Sequence, residues 1–175
     1  MIEAASAAGL LVACLALGIG YLIGSIPLTA AGARGAGPGW AFLAVTADVA
    51  KGVIAVALGI VTVSWAIGWI AGIGAVLGAA RPIVRRTPRG DGLATFVGAA
   101  AALSPPAAAV GVVLGLLVLG AGRLTGRDGT ATALVAGLLA YPAVFAVLQP
   151  DAARLAALIG LYLVATLALL AARGR

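Results

Sequence analysis

Asp48 and Lys51 stand three residues apart inside a run, Ala41 to Val56, that is otherwise lipid-soluble. On a helix that spacing puts both side chains on one face. A charge at mid-membrane costs roughly 2.5–3.5 kcal/mol on insertion scales, so a chain that keeps two has a use for them. Two uses fit. The pair neutralises itself as a strut, or it supplies charge to a site.

A second group of residues suits anion chemistry. Gly24-Ser25-Ile26-Pro27 closes the first apolar segment, and Gly32-Ala33-Arg34-Gly35-Ala36-Gly37-Pro38-Gly39 follows. Further on come Arg89-Gly90-Asp91-Gly92 and Arg127-Asp128-Gly129-Thr130. Glycine-rich turns expose backbone N–H groups as anion nests, and a nearby guanidinium adds charge. The helix expected after Gly92 would add N-terminal donors, a ready phosphate site. Ordinary roles stand beside these. Arg81, Arg85, Arg86, Arg173 and Arg175 fit topology and headgroup anchoring. For Arg34 and Arg89, ligand and anchor are equally open. Ser25 fits a helix-end hydrogen bond as well as a contact. Asp91 and Asp128 fit pairing with Arg89 and Arg127. Trp40, Trp65 and Trp69 fit interface anchors.

Composition narrows the chemistry. The 175 residues include no histidine, which removes His triads, His general bases and His-ligated metals. The one cysteine, Cys14, has no partner in the chain for a disulfide. Only 9% of residues are charged, 63% are hydrophobic and mean hydropathy is +1.20. Soluble domains carry about 25% charged residues. The expectation is therefore an all-α integral membrane protein forming a single polytopic domain over residues 1–175. Met1-Ile2-Glu3 has no basic n-region, so the first apolar segment is expected to remain as a membrane helix.

The elements that must position these residues are seven apolar segments, near 6–26, 40–62, 64–80, 93–103, 106–122, 131–148 and 152–172. Most can cross about 30 Å at 1.5 Å per residue. The fourth covers only about 17 Å and reads as a half-helix, or as one starting below the interface. Basic residues separate by connector. Arg34, Arg81, Arg85, Arg86, Arg89, Arg123, Arg127, Arg173 and Arg175 fall on one side, and only Arg154 breaks the alternation. The positive-inside rule makes that side cytoplasmic, with seven transmembrane helices, the N-terminus outside and the C-terminus in the cytoplasm. The net charge of +6 is thus topological, and no nucleic-acid partner is expected. The localisation expected is the cell inner (plasma) membrane, multi-pass, with the arginine-bearing loops facing the cytoplasm.

In order along the chain, these motifs resemble the bacterial acyl-phosphate-dependent glycerol-3-phosphate acyltransferases, the PlsY family. Gly24-Ser25-Ile26-Pro27 matches the turn that ends that family's first helix. Ala47-Asp48-Val49-Ala50-Lys51-Gly52 matches its Leu-Asp-Val-Leu-Lys-Gly-like box. Gly78 to Thr95 aligns without gaps to its third connector, followed by Leu103-Ser104-Pro105. The resemblance implies acyl transfer from acyl phosphate to the 1-hydroxyl of glycerol 3-phosphate, giving lysophosphatidate. It implies no metal, no cofactor and no covalent acyl-enzyme. Membrane lipids are the other partners. It also implies phosphate contacts from Ser25, Arg34 and Arg89, from backbone at Gly35, Gly37, Gly90 and Gly92, and from Thr130 or Thr132 in place of a family serine. Asp48 and Lys51 would then be a structural ion pair.

The sequence departs from the family pattern at several points. Asp91 stands where the family has a phosphate-binding lysine, and Ala79 where it has a histidine. Both asparagines of its first glycine-rich loop are missing, and its C-terminal His-Arg-x-Asn-Ile segment does not occur. The alternative expectation is a catalytically inactive paralogue that binds lipid or a membrane partner.

Overall fold

The computed structural model describes residues 7–26, 38–83, 92–125, 130–148 and 151–160 apart from 152, 155 and 157. Six helices are assigned: α1 (Ala7–Gly24), α2 (Pro38–Thr62), α3 (Trp65–Ala80), α4 (Leu93–Leu103), α5 (Pro105–Leu124) and α6 (Thr130–Leu148). The described residues from Ala153 to Gly160 are helical as well. Each falls on an apolar segment expected from sequence, and the described residues contain no strand. The described residues thus form an all-helical fold. Among the described residues, three helical stretches, Ala7–Gly24, Phe42–Thr62 and Pro105–Leu124, are long and apolar enough to cross a membrane.

Helix ends follow local chemistry. α2 and α5 open on prolines, whose missing N–H costs nothing in a first turn. Ser64 caps α3, its hydroxyl accepting from Ile67 N at 3.3 Å. Only Val63 and Ser64 separate α2 from α3, so the two helices are neighbours joined by a tight turn. Gly92, at φ 72°, turns the chain into α4, a conformation that glycine adopts without a Cβ clash.

The described residues group into two compact units, one running to Leu103 and the other from Ser104 to Gly160. In the first unit α3 is central, packing on α1, α2 and α4. The α1–α3 seam is built on four glycines. A Cβ at Gly20 or Gly24 would collide with the carbonyls of Ala71 and Ala75. A Cβ at Gly74 or Gly78 would collide with those of Leu17 and Tyr21. The helix backbones therefore touch, which is how small residues stabilise helix pairs in lipid. Away from this seam α1 exposes Leu11, Leu15, Ile19 and Leu22, the surface expected against acyl chains. α4 has 11 residues, as the short fourth segment implied, and buries Thr95, Phe96, Ala99, Ala100 and Leu103.

In the second unit α5 packs on α6 where Gly111 meets Gly137. Buried Tyr141 and Phe145 stack one turn apart with ring centroids 6.0 Å apart. Arg154, the exception to the charge alternation, lies with its Nε 3.6 Å from Asp151 Oδ2. Asp151 Oδ1 also accepts from Ala153 N at 2.9 Å. The exceptional charge is thus locally compensated.

Candidate functional site

Among the described residues of the first unit, the buried polar and charged residues are Ser25, Asp48, Lys51 and Thr95, and the indole nitrogen of Trp69 is buried as well. The first four come from three helices, and the backbone brings them together. α1 unwinds at Ser25 and Ile26, just before Pro27 removes the next donor. Lys51 of α2 reaches that end. Its ammonium donates to the carbonyl oxygen of Ile26 and to Asp48 Oδ1, so one side chain bridges a helix terminus and a carboxylate. Asp48 and Lys51 are 8% and 5% exposed. An ammonium that far from water needs both partners: the carboxylate cancels its charge and the carbonyl satisfies a further N–H.

The end of α1 is held on a second side. Tyr21 donates its hydroxyl to the carbonyl of Arg81 at 2.6 Å, tying α1 to the residue that caps α3. A Cβ at Gly78 would lie 2.9 Å from Ser25 N, so α3 contacts the turn itself. Gly92 packs near Val76 O and Ala80 at the same end of α3. At position 52, α2 meets α4 so closely that any side chain would strike the backbone of Thr95. The last turns of α1 and α3, the middle of α2 and the first turn of α4 thus converge at one end of the unit.

Ser25 is buried, and its hydroxyl donates to Tyr21 O at 2.7 Å. That is the helix-end hydrogen bond open from the sequence; a contact with an anion requires the hydroxyl to rotate off that carbonyl. Gly92 stands at the entry to α4 with the positive φ expected of a nest residue. Arg34, Gly35, Gly37, Arg89 and Gly90 lie outside the described residues. Thr130 opens α6 in the second unit, and its side chain is likewise not described.

Two residues escaped the sequence reading. Tyr21 sits one helical turn before Ser25, and that spacing at the end of an apolar helix is the signal that could have found it. Thr95 was noted only inside a motif. Its Oγ1 is buried and has no hydrogen-bond partner, and the residue is 1% exposed. An unpaired buried hydroxyl costs about 1–3 kcal/mol, a cost that native proteins tend to keep at functional positions.

Helices long and apolar enough to cross a membrane, with an Asp48–Lys51 pair buried among them, mark the chain as a membrane protein. A family model described as glycerol-3-phosphate acyltransferase matches residues 29–173, most of the chain. The chain belongs to the glycerol-3-phosphate acyltransferase family. No curated protein and no solved structure gave a significant match. The family points to an enzyme that moves an acyl group onto glycerol 3-phosphate.

Proposed function

We propose that the protein takes its acyl group from an acyl phosphate and delivers it to the 1-hydroxyl of glycerol 3-phosphate. The hydroxyl oxygen attacks the acyl carbonyl carbon, and the carbonyl carbon–phosphate oxygen bond breaks. The hydroxyl proton leaves on the released inorganic phosphate, so lysophosphatidate forms without a metal or an acyl-enzyme. The observation that carries this reading is the family match over residues 29–173. The absence of histidine, and a lone cysteine, Cys14, on the exposed apolar surface of α1, agree with chemistry done by positioning rather than by a protein nucleophile.

In this reading both substrates are phosphorylated, so the site must hold negative charge. Arg34 and Arg89 supply guanidinium groups, and backbone at Gly35, Gly37, Gly90 and Gly92 supplies N–H donors. Ser25 adds a hydroxyl once it leaves Tyr21 O. Asp48 and Lys51 form the structural pair behind this surface. The connectors bearing Arg34 and Arg89 face the cytoplasm in a seven-span chain whose N-terminus is outside, an orientation supported by the arginine distribution. The cell inner (plasma) membrane is the proposed location. The family match extends across both compact units, which supports reading the chain as one membrane domain.

The test is direct. Purified protein in lipid nanodiscs receives radiolabelled glycerol 3-phosphate with acyl phosphate, acyl-CoA or acyl carrier protein thioester. The expected product is lysophosphatidate from acyl phosphate alone, lost in Arg34→Ala. Product from a thioester instead would replace the proposed donor. No product from any donor would leave the non-catalytic alternative, lipid or partner binding by an inactive paralogue.

A further inference from the structure

Two hydrogen bonds in the first unit are aimed at unusual acceptors. Neither closes a helix's own ladder. Lys51 donates to Ile26 O, the last described carbonyl before the connector that carries Arg34, Gly35 and Gly37. Tyr21 donates to Arg81 O, in the C-cap of α3, where the connector that carries Arg89 and Gly90 begins. Each bond crosses between helices, from α2 to the end of α1 and from α1 to the end of α3. The first fixes the root of the Arg34 connector against α2, the helix into which that connector leads, and the second fixes the root of the Arg89 connector against α1, which that connector does not join. Ser25 and Gly78 pack where the two roots meet.

We infer that Tyr21 and Lys51 are positioning residues for the acyl acceptor: they pin the roots of the two connectors whose arginines and glycines bind its phosphate. This rests on the phosphate-binding reading given above for those connectors. The physical basis is preorganisation. Binding a dianion with groups on two separate connectors is favourable only if the connectors are already held at the right separation; otherwise ordering them offsets part of the binding energy. Tyr21 and Lys51 act through the chain, because their donors are directed at protein acceptors. Lys51 uses its donors on Ile26 O and Asp48, and Tyr21 uses its hydroxyl on Arg81 O.

The experiment measures glycerol 3-phosphate affinity by isothermal titration calorimetry on full-length protein in nanodiscs, together with turnover and thermal midpoint. Tyr21→Phe removes only the hydroxyl and keeps the ring. Lys51→Met alone would strand a buried carboxylate and endanger folding, so the informative variant is Asp48→Asn with Lys51→Met, which leaves no unpaired charge. The expected result is an affinity about fivefold weaker for each, the loss of one hydrogen bond's worth of order. Turnover at saturating acceptor should stay within about twofold, since the acceptor is held less often but no differently once bound. Lys51→Arg, which keeps a cationic donor, should recover part of the affinity. A merely structural role would lower the thermal midpoint and leave the affinity of the folded protein unchanged. Unchanged affinity in either variant overturns the assignment for that residue. Arg34→Ala and Arg89→Ala separate the two levels of the argument. If they weaken binding and the positioning variants do not, the positioning proposal alone is wrong. If they also leave affinity unchanged, or if the unmodified protein binds no glycerol 3-phosphate, the phosphate reading fails and the positioning proposal with it.

Discussion

Helix α1 is fastened to its two neighbours by opposite means. Against α3 it is backbone on backbone, with Gly20 and Gly24 under the carbonyls of Ala71 and Ala75, and Gly74 and Gly78 under those of Leu17 and Tyr21. Against α2 the terminus of α1 is held by one buried ammonium, Lys51, on Ile26 O. The first joint works by the absence of side chains over most of its length and turns polar only at its end, where Tyr21 donates to Arg81 O. The second works by charge and needs its counter-ion, Asp48, within the same helix. The difference shows where polarity is allowed. The spacing of α1 and α3 is set by sterics that lipid can accommodate, and among the described residues of the first unit's helices the buried charge is the Asp48–Lys51 pair at the terminus of α1. The costly charged pair is thus confined to one joint, and the rest of the contact is made by small residues.

The comparison breaks most sharply at Lys51. Lys51→Met leaves the Asp48 carboxylate buried with no cation, and removal of one partner from a buried pair costs about 3–5 kcal/mol. The expected outcome is a large fall in the thermal midpoint of detergent-solubilised protein, followed by intrinsic tryptophan fluorescence. Adding Asp48→Asn should restore most of it, because the penalty comes from the stranded charge. If the double variant is as unstable as the single, the charge is irrelevant and the joint is steric like its counterpart.

The glycine seam should break less severely. Gly78→Ala places a methyl group against Tyr21 O and within 2.9 Å of Ser25 N. Those are main-chain atoms, which cannot rotate away, so the helices must separate. Overpacking costs about 1–3 kcal/mol, and a backbone collision belongs at the upper end of that range. The same thermal measurement tests it. A midpoint equal to that of the unmodified protein would mean that α1 and α3 can part freely and that their contact sets nothing.

Much of this architecture was legible in the sequence, for reasons that differ by element. The apolar segments are long and interrupted by Pro, Ser and Gly, so α1 to α6 fall close to where hydropathy places them. The boundaries move by a few residues where Pro38 and Pro105 occupy first-turn positions that an apolar run alone does not mark. The short α4 was visible because 11 residues cannot span 30 Å. Asp48 and Lys51 were visible as a pair because their spacing is local. The acceptor of the second Lys51 hydrogen bond was not, since Ile26 lies 25 residues away and only the fold brings it near. Tyr21 was hidden for the same reason: its partner Arg81 is 60 residues distant, and it is a main-chain carbonyl, which every residue possesses. The unpaired hydroxyl of Thr95 was also invisible, because a side chain's lack of a partner is a property of packing and leaves no mark in local sequence.

The smallest expected effect sharpens the comparison best, because it comes from the same helix. Gly18 lies two residues before Gly20, and a Cβ there would meet no atom within 4 Å, whereas one at Gly20 would strike Ala71. Both are interior positions of α1, so replacing either by alanine gains the same helix propensity, up to about 1 kcal/mol. Gly18→Ala should therefore leave stability unchanged or raise it slightly. Gly20→Ala should lose more than its propensity gain. The difference between the two midpoints isolates the α1–α3 contact from everything else that alanine does to a helix. A loss at Gly18 as large as at Gly20 would show that the outward face of α1 is not simply bathed in lipid. It would be packed against protein, and the assignment of Leu15, Ile19 and Leu22 to the acyl-chain surface would have to be withdrawn.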